Sequence, residues 1–176
     1  MTKESITIAP LMGLVLVGGR SARMRVDKAS LIYHGKPQTE HCLDLLKPFC
    51  EKSFLSCRAD QAEQPGFIGL TQIHDTFLNF GPLCGILSAL RANPNYAILV
   101  IACDLPFLNN KTLTDLVSRR DPNKIATAFM LPQMSKPEVE GTVKGLPEPL
   151  CAIYEPECYA RVLDFKSITS IRLEQN

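Results

Sequence analysis

A chain of 176 residues with 45% hydrophobic and 21% charged side chains has the size and composition of one globular domain, not of a disordered tract. Its net charge of +1 excludes general nucleic-acid binding, so any basic patch must be local. No apolar run reaches membrane-spanning length and the opening MTKESITIAP lacks a signal-peptide core, so the expected compartment is the cytoplasm, with no membrane partner. Residues 1–10 read as a loose extension of a single domain spanning 1–176.

Leu11 to Val17 is a continuous apolar run, the mark of a strand buried on both faces. It breaks at Gly18-Gly19 and turns basic, with Arg20, Arg23, Arg25 and Lys28 close together. Adjacent glycines let backbone amides approach phosphate oxygens, and the cations neutralise them, arginine by its fork and lysine as a point charge. The same pattern also describes a solvated turn, and the residues alone do not decide. It is neither a Walker A loop nor Gly-x-Gly-x-x-Gly. Thr39 is the expected cap of a helix whose Cys42, Leu45, Leu46 and Phe49 make one apolar stripe. Phe54 to Cys57 and Leu70 to His74 read as strands, separated by a polar loop over 59–69 and followed by Asp75.

Gly81-Pro82 opens the next helix, with Pro82 at its first position and Leu83, Ile86, Leu87 and Leu90 facing inward. Tyr96 to Ala102 is a second buried strand, ending in Cys103-Asp104-Leu105-Pro106. Asn109 or Asn110 caps a helix with Leu113, Leu116 and Val117 inside, and Arg119 and Arg120 close its negative end. Ile125 to Leu131 is a further strand. The stretch 132–149, rich in Pro, Gly and charge, is a long loop, after which come a strand over Leu150 to Tyr154 and a short helix opened by Pro156, with Tyr159, Val162 and Leu163 inward. The seven cysteines include no Cys-x-x-Cys pair and no His at zinc-ligand spacing, so they are expected as reduced core residues. Of the histidines, only His74, beside Asp75, invites attention.

Strand and helix alternate almost throughout, which predicts an α/β fold with a mainly parallel sheet covered on both faces. Ligands in such folds sit beyond the carboxyl ends of the strands. The Gly18–Lys28 loop, Asp75 and Asp104 each follow directly after a predicted strand, so all three converge on one edge. A basic loop beside a carboxylate is the minimum kit for phosphoryl or nucleotidyl transfer: Mg²⁺ prefers carboxylate and phosphate oxygens, and would link Asp104 to the nucleotide. Turn-capping carboxylates would occupy the same two positions, Asp75 and Asp104, without any ligand.

The run LVGGRSARMRVDKASL closely resembles the signature loop of the molybdenum cofactor guanylyltransferases, within the nucleotide-diphospho-sugar-transferase-like family. Leu16, Gly18, Gly19, Ser21, Arg23, Met24, Asp27 and Lys28 match its fixed positions; Val17 and Arg25 depart from an alanine and a glycine. Asp75 before Gly81-Pro82-Leu83-Cys84-Gly85, the Cys103-Asp104-Leu105-Pro106 segment, and Pro149-Leu150-Cys151-Ala152-Ile153-Tyr154 are similar to later motifs of that family. The family's usual closing Asn-x-Asn-Thr-Pro-x-Asp segment has no counterpart here. The resemblance implies a three-layer sandwich with a Rossmann-like central sheet. It implies GTP as substrate, molybdopterin as acceptor, and transient contact with other molybdenum cofactor biosynthesis proteins. Leu16, Gly18, Gly19, Lys28, Ser56 and Asp75 would contact GTP, Asp104 would bind Mg²⁺, and Arg23 and Lys28 would act with Asp104 in catalysis. Alternatives are a cytidylyltransferase or sugar-phosphate nucleotidyltransferase of the same fold, or a nucleotide-binding partner protein that has lost catalysis.

Overall fold

The computed structural model describes residues 8–17, 35–77, 80–131 and 145–173. The first apolar run forms β1 (Leu11–Leu16), buried along its whole length, as its unbroken hydrophobicity requires. It is followed by α1 (Gln38–Leu46), β2 (Lys52–Cys57), a single 3₁₀ turn (Ala59–Gln61), β3 (Gln72–His74) and α2 (Leu83–Ala92). The second apolar run forms β4 (Ala97–Ala102), also fully buried, and leads to α3 (Asn110–Ser118), β5 (Ala126–Leu131), β6 (Leu146–Tyr154) and α4 (Cys158–Leu173).

The six strands form one sheet in the order β3-β2-β1-β4-β6-β5. β3, β2, β1 and β4 are mutually parallel, while β6 runs antiparallel to both β4 and β5. The expected mainly parallel sheet is therefore present, with one reversed strand. Helices cover both faces. Cys42, Leu45 and Leu46 of α1 and Leu113 and Leu116 of α3 pack with Val15, Leu55 and Ile101 on one side. Ile86, Ala89 and Leu90 of α2 and Cys158 of α4 pack with Leu14, Leu16 and Val100 on the other. Close approach has a marker on each face: a Cβ at Gly13 would lie 2.9 Å from a Leu46 methyl, and one at Gly85 2.9 Å from a Leu16 methyl.

Several expectations are corrected. Thr39 lies inside α1 and is completely buried, and Pro37 occupies the cap position without any side-chain hydrogen bond. Pro82 is likewise the cap residue of α2, one position earlier than expected. The third strand is only three residues long, and Phe67, in the segment read as loop, is buried in the core. The end of the segment read as a loop over 132–149 is strand instead, because β6 begins at Leu146. Pro147 and Pro149 obscured that strand, yet they sit where β6 has run past β4, which it pairs with only from Cys151 to Tyr154. A strand tolerates proline where one flank has no partner. The last helix is 16 residues, not short.

Candidate active site

The four parallel strands end at one edge, and there the residues marked in the sequence gather. Leu16 closes β1, Ser56 is the penultimate residue of β2, Asp75 follows β3, and Asp104 stands just beyond β4. Register places Ile73, Ser56, Leu16 and Ala102 in one row across the sheet. The backbone holds the row together past the strand ends. Val17 N–H donates to the Ser56 carbonyl at 3.3 Å, Asp75 N–H to the Cys57 carbonyl at 3.0 Å, and Cys103 N–H to the Leu16 carbonyl at 3.1 Å.

Ser56 and Asp75 form the best-defined polar contact of the edge. The Ser56 hydroxyl donates to Asp75 Oδ1 at 2.9 Å, and Ser56 is only 3% exposed, while Asp75 is half-buried. Gly85 of α2 covers this pair, since a Cβ there would lie 2.1 Å from Ser56 Oγ. The turn into α2 uses Gly81 in the left-handed region, at φ +56°, which a side chain would disfavour. Just after Asp75, Thr76 N–H donates to Ser88 Oγ at 2.8 Å, and Ser88 in turn donates to the Cys84 carbonyl at 2.7 Å. Ser88 was not singled out from the sequence. Its one signal is that it interrupts the apolar face of α2 with a small hydroxyl.

Asp104 is exposed. Its loop is tied down by Leu105 N–H to the Ala102 carbonyl and by Leu108 N–H to the Leu105 carbonyl, and it passes directly into α3. Gly18, Gly19, Arg23 and Lys28, together with Arg25, lie outside the described residues; the chain leaves β1 at Leu16–Val17, between the ends of β2 and β4. Among the described residues, no cluster of three or more His, Cys, Asp or Glu side chains could hold a metal by itself. A lone exposed carboxylate fits a cation held otherwise by substrate phosphates and water. His74 is exposed and has a ring nitrogen 3.1 Å from the Gln72 side-chain carbonyl, so it does not join the site. The cysteines are free, and all but Cys50 are buried. Burial pushes the Cys50 thiol up to about 12, and burial with the Glu148 charge pushes Cys151 up to about 11, so both stay protonated and unreactive. A groove of about 570 Å³ near Asp44, Lys47, Glu51 and Lys52 opens at the other end of β2 and is not part of this edge.

The model of the MobA-like NTP transferase domain matches residues 13–172, which includes every residue of this edge. The chain belongs to that family. The molybdenum cofactor biosynthesis bifunctional protein of Synechocystis sp. is 36% identical over 88% of this chain and 42% of its own length. The molybdenum cofactor guanylyltransferase of Pseudomonas entomophila is 29% identical over 63% of this chain and 59% of its own. The chain thus spans less than two thirds of either relative. Among solved structures, molybdopterin-guanine dinucleotide biosynthesis protein A from Archaeoglobus fulgidus superposes with a TM-score of 0.59 at 27% identity, covering 85% of this chain and 69% of that one. In this MobA-like domain Ser56, Asp75 and Asp104 are the polar residues that stand at the carboxyl ends of β2, β3 and β4, beside Leu16 at the end of β1. Among the described residues, no helix is long and apolar enough to cross a membrane.

Proposed function

We propose that this MobA-like domain transfers GMP from GTP to the phosphate of molybdopterin and releases pyrophosphate. The observation that carries the reading is the gathering of Leu16, Ser56, Asp75 and Asp104 at the strand ends from which the Gly18–Lys28 loop departs. An oxygen of the acceptor phosphate attacks the α-phosphorus of GTP, and the bond from that phosphorus to the bridging oxygen of the β-phosphate breaks. No covalent enzyme intermediate is needed, because positioning and charge stabilisation supply most of the acceleration in such transfers.

Leu16, Gly18, Gly19, Lys28, Ser56 and Asp75 form the nucleotide side of the site, the two glycines by letting backbone amides approach the phosphates. Arg23 and Lys28 offset the charge that accumulates on the departing pyrophosphate. Asp104 would hold Mg²⁺, which supplies Lewis-acid polarisation of the phosphoryl oxygens when bound. Its exposure leaves room for substrate oxygens around such a cation. The relatives named above are a molybdenum cofactor guanylyltransferase and a bifunctional biosynthesis protein of the same cofactor, which supports GTP and molybdopterin as the substrates and transient contact with other proteins of that synthesis. These steps would take place in the cytoplasm.

The test is calorimetric titration with GTP and CTP, each with and without Mg²⁺, followed by pyrophosphate release on adding molybdopterin. Preferential GTP binding and acceptor-dependent release are expected. Equal or tighter binding of CTP overturns the guanylyl assignment and leaves the fold untouched.

A further inference from the structure

Ser56 is poorly placed to touch a ligand itself. It is 3% exposed, its hydroxyl proton is spent on Asp75 Oδ1 at 2.9 Å, and α2 lies directly over it. Asp75 is only half-buried, and among the described residues the one side-chain hydrogen bond to its carboxylate is that from Ser56 to Oδ1. Gly85 explains how the pair is kept. Glycine inside a helix is unfavourable by about 1 kcal/mol relative to alanine, yet an alanine here would put its Cβ 2.1 Å from Ser56 Oγ and 3.1 Å from Ser56 Cβ. The hydroxyl would have to rotate off Asp75. On the other side, Ser88 binds Thr76 through both its backbone N–H, at 2.8 Å, and its hydroxyl, at 3.1 Å. Helix α2 thus fixes the carboxylate from two directions, through Gly85 and Ser56 at the strand and through Ser88 at the following residue.

We propose that Ser56 and Gly85 are positioning residues that act through Asp75: the Ser56 hydroxyl, kept in place by the missing side chain of Gly85, holds Asp75 so that its other carboxylate oxygen accepts an N–H or O–H of the bound nucleotide. This refines the direct contact to GTP that the family resemblance assigns to Ser56, and its nucleotide part rests on the reading of this edge as the GTP site. A hydroxyl that acts only through a carboxylate has no separate energy to lose once the carboxylate is gone, and that non-additivity is measurable.

The experiment is a double-mutant cycle on the full chain, with Ser56→Ala, Asp75→Asn and the pair compared by calorimetric titration with GTP. Ser56→Ala is expected to weaken binding by about threefold to tenfold, the range for one ordinary hydrogen bond. Asp75→Asn is expected to weaken it more, and the double variant no further than Asp75→Asn alone. Additive losses, or no loss in Ser56→Ala, overturn the inference, because Ser56 then meets the nucleotide itself or does nothing. A ligand-free readout accompanies it: three-bond NMR couplings that report the χ1 rotamer of Asp75. One rotamer is expected in the parent chain, and an averaged value in Ser56→Ala and in Gly85→Ala. An unchanged rotamer in both variants overturns the positioning role. Ser56→Cys, which keeps a side chain of similar shape with a weaker donor, replaces alanine if the latter loosens the core. If the parent chain binds no GTP, the reading of the edge fails, while the rotamer measurement still decides whether Ser56 and Gly85 position Asp75.

Discussion

The two ends of the sheet treat charge in opposite ways. At the amino end, the Glu155 carboxylate is 4% exposed and the Arg120 guanidinium 10%, and they meet in a two-pronged pair at 2.7 and 2.8 Å. Arg120 also donates to the Ala9 carbonyl at 2.8 Å, which ties the segment entering β1 to the segments leaving α3 and β6. At the carboxyl end, Asp104 is exposed and Asp75 keeps one oxygen uncommitted by the Ser56 bond. A buried carboxylate must be neutralised within the fold, whereas one at a ligand edge can leave that to a substrate or a cation. The contrast separates charges that build the domain from charges proposed to work for it.

The largest effect is expected at the buried pair. Arg120→Ala leaves Glu155 charged and unpartnered inside the protein, which should cost about 3–5 kcal/mol of folding stability. Denaturant unfolding measures it, and the protein that remains folded should bind GTP as before. Replacing both residues by apolar side chains of similar volume should recover much of the loss, because a buried ion pair contributes little beyond its own desolvation. A loss under about 1 kcal/mol in the single variant would mean that water reaches Glu155 and that the two ends differ less than their burial suggests.

Next comes Asp104→Asn, which tests the opposite end. An exposed carboxylate owes nothing to the fold, so the melting temperature without ligand should not move. Removing the charge proposed to hold Mg²⁺ should slow pyrophosphate release by about a hundredfold or more, equivalent to at least about 2.7 kcal/mol of transition-state stabilisation. Turnover near that of the parent chain would reject the metal role. A fall in stability without ligand would make Asp104 a structural turn residue instead.

This contrast was only half legible in the chain. The exposed end was readable in part, because two of its markers sit at the ends of apolar runs: Leu16 before Gly18-Gly19, and Cys103-Asp104-Leu105-Pro106 after β4. The buried end was not. Arg119 and Arg120 looked alike, two cations closing a helix, yet Arg119 pairs with Asp115 one turn back while Arg120 reaches Glu155, 35 positions away. Nothing local distinguishes them. The reversal of β6 was hidden for a similar reason, since the direction of a strand depends on which neighbour it pairs with and not on its own pattern. The Ser56–Asp75 bond spans 19 positions, and only the contact of Gly85 with both β1 and β2 shows why a helix would carry a glycine there.

A smaller effect is expected from Asn109→Ala. Asn109 is the cap of α3, and its side-chain carbonyl accepts from Thr112 N–H at 3.1 Å, as the sequence led us to expect. Its loss should cost about 1 kcal/mol in denaturant unfolding. That value lies between the buried pair and the exposed edge, as befits an exposed hydrogen bond that nevertheless satisfies a helix end.

The smallest effect is expected at Phe107, three positions beyond Asp104 and 92% exposed. Its neighbours divide the work of anchoring the loop. Leu105 packs against the cores on both faces of the sheet and Leu108 against one of them, while the Phe107 carbonyl accepts a 3.4 Å bond from the Asn109 side chain. The backbone is therefore held on either side of an aromatic ring that buries almost nothing. Apolar stabilisation scales with area removed from water, so Phe107→Ala should change folding stability by no more than about 0.5 kcal/mol. This sharpens the comparison of the two ends, because a large side chain at the carboxyl end should then matter less to the fold than a single guanidinium at the amino end. Denaturant unfolding of the variant decides the point. A loss of about 2 kcal/mol or more would show that the ring is packed in solution, and the carboxyl end would then have to be counted among the parts that hold the domain together.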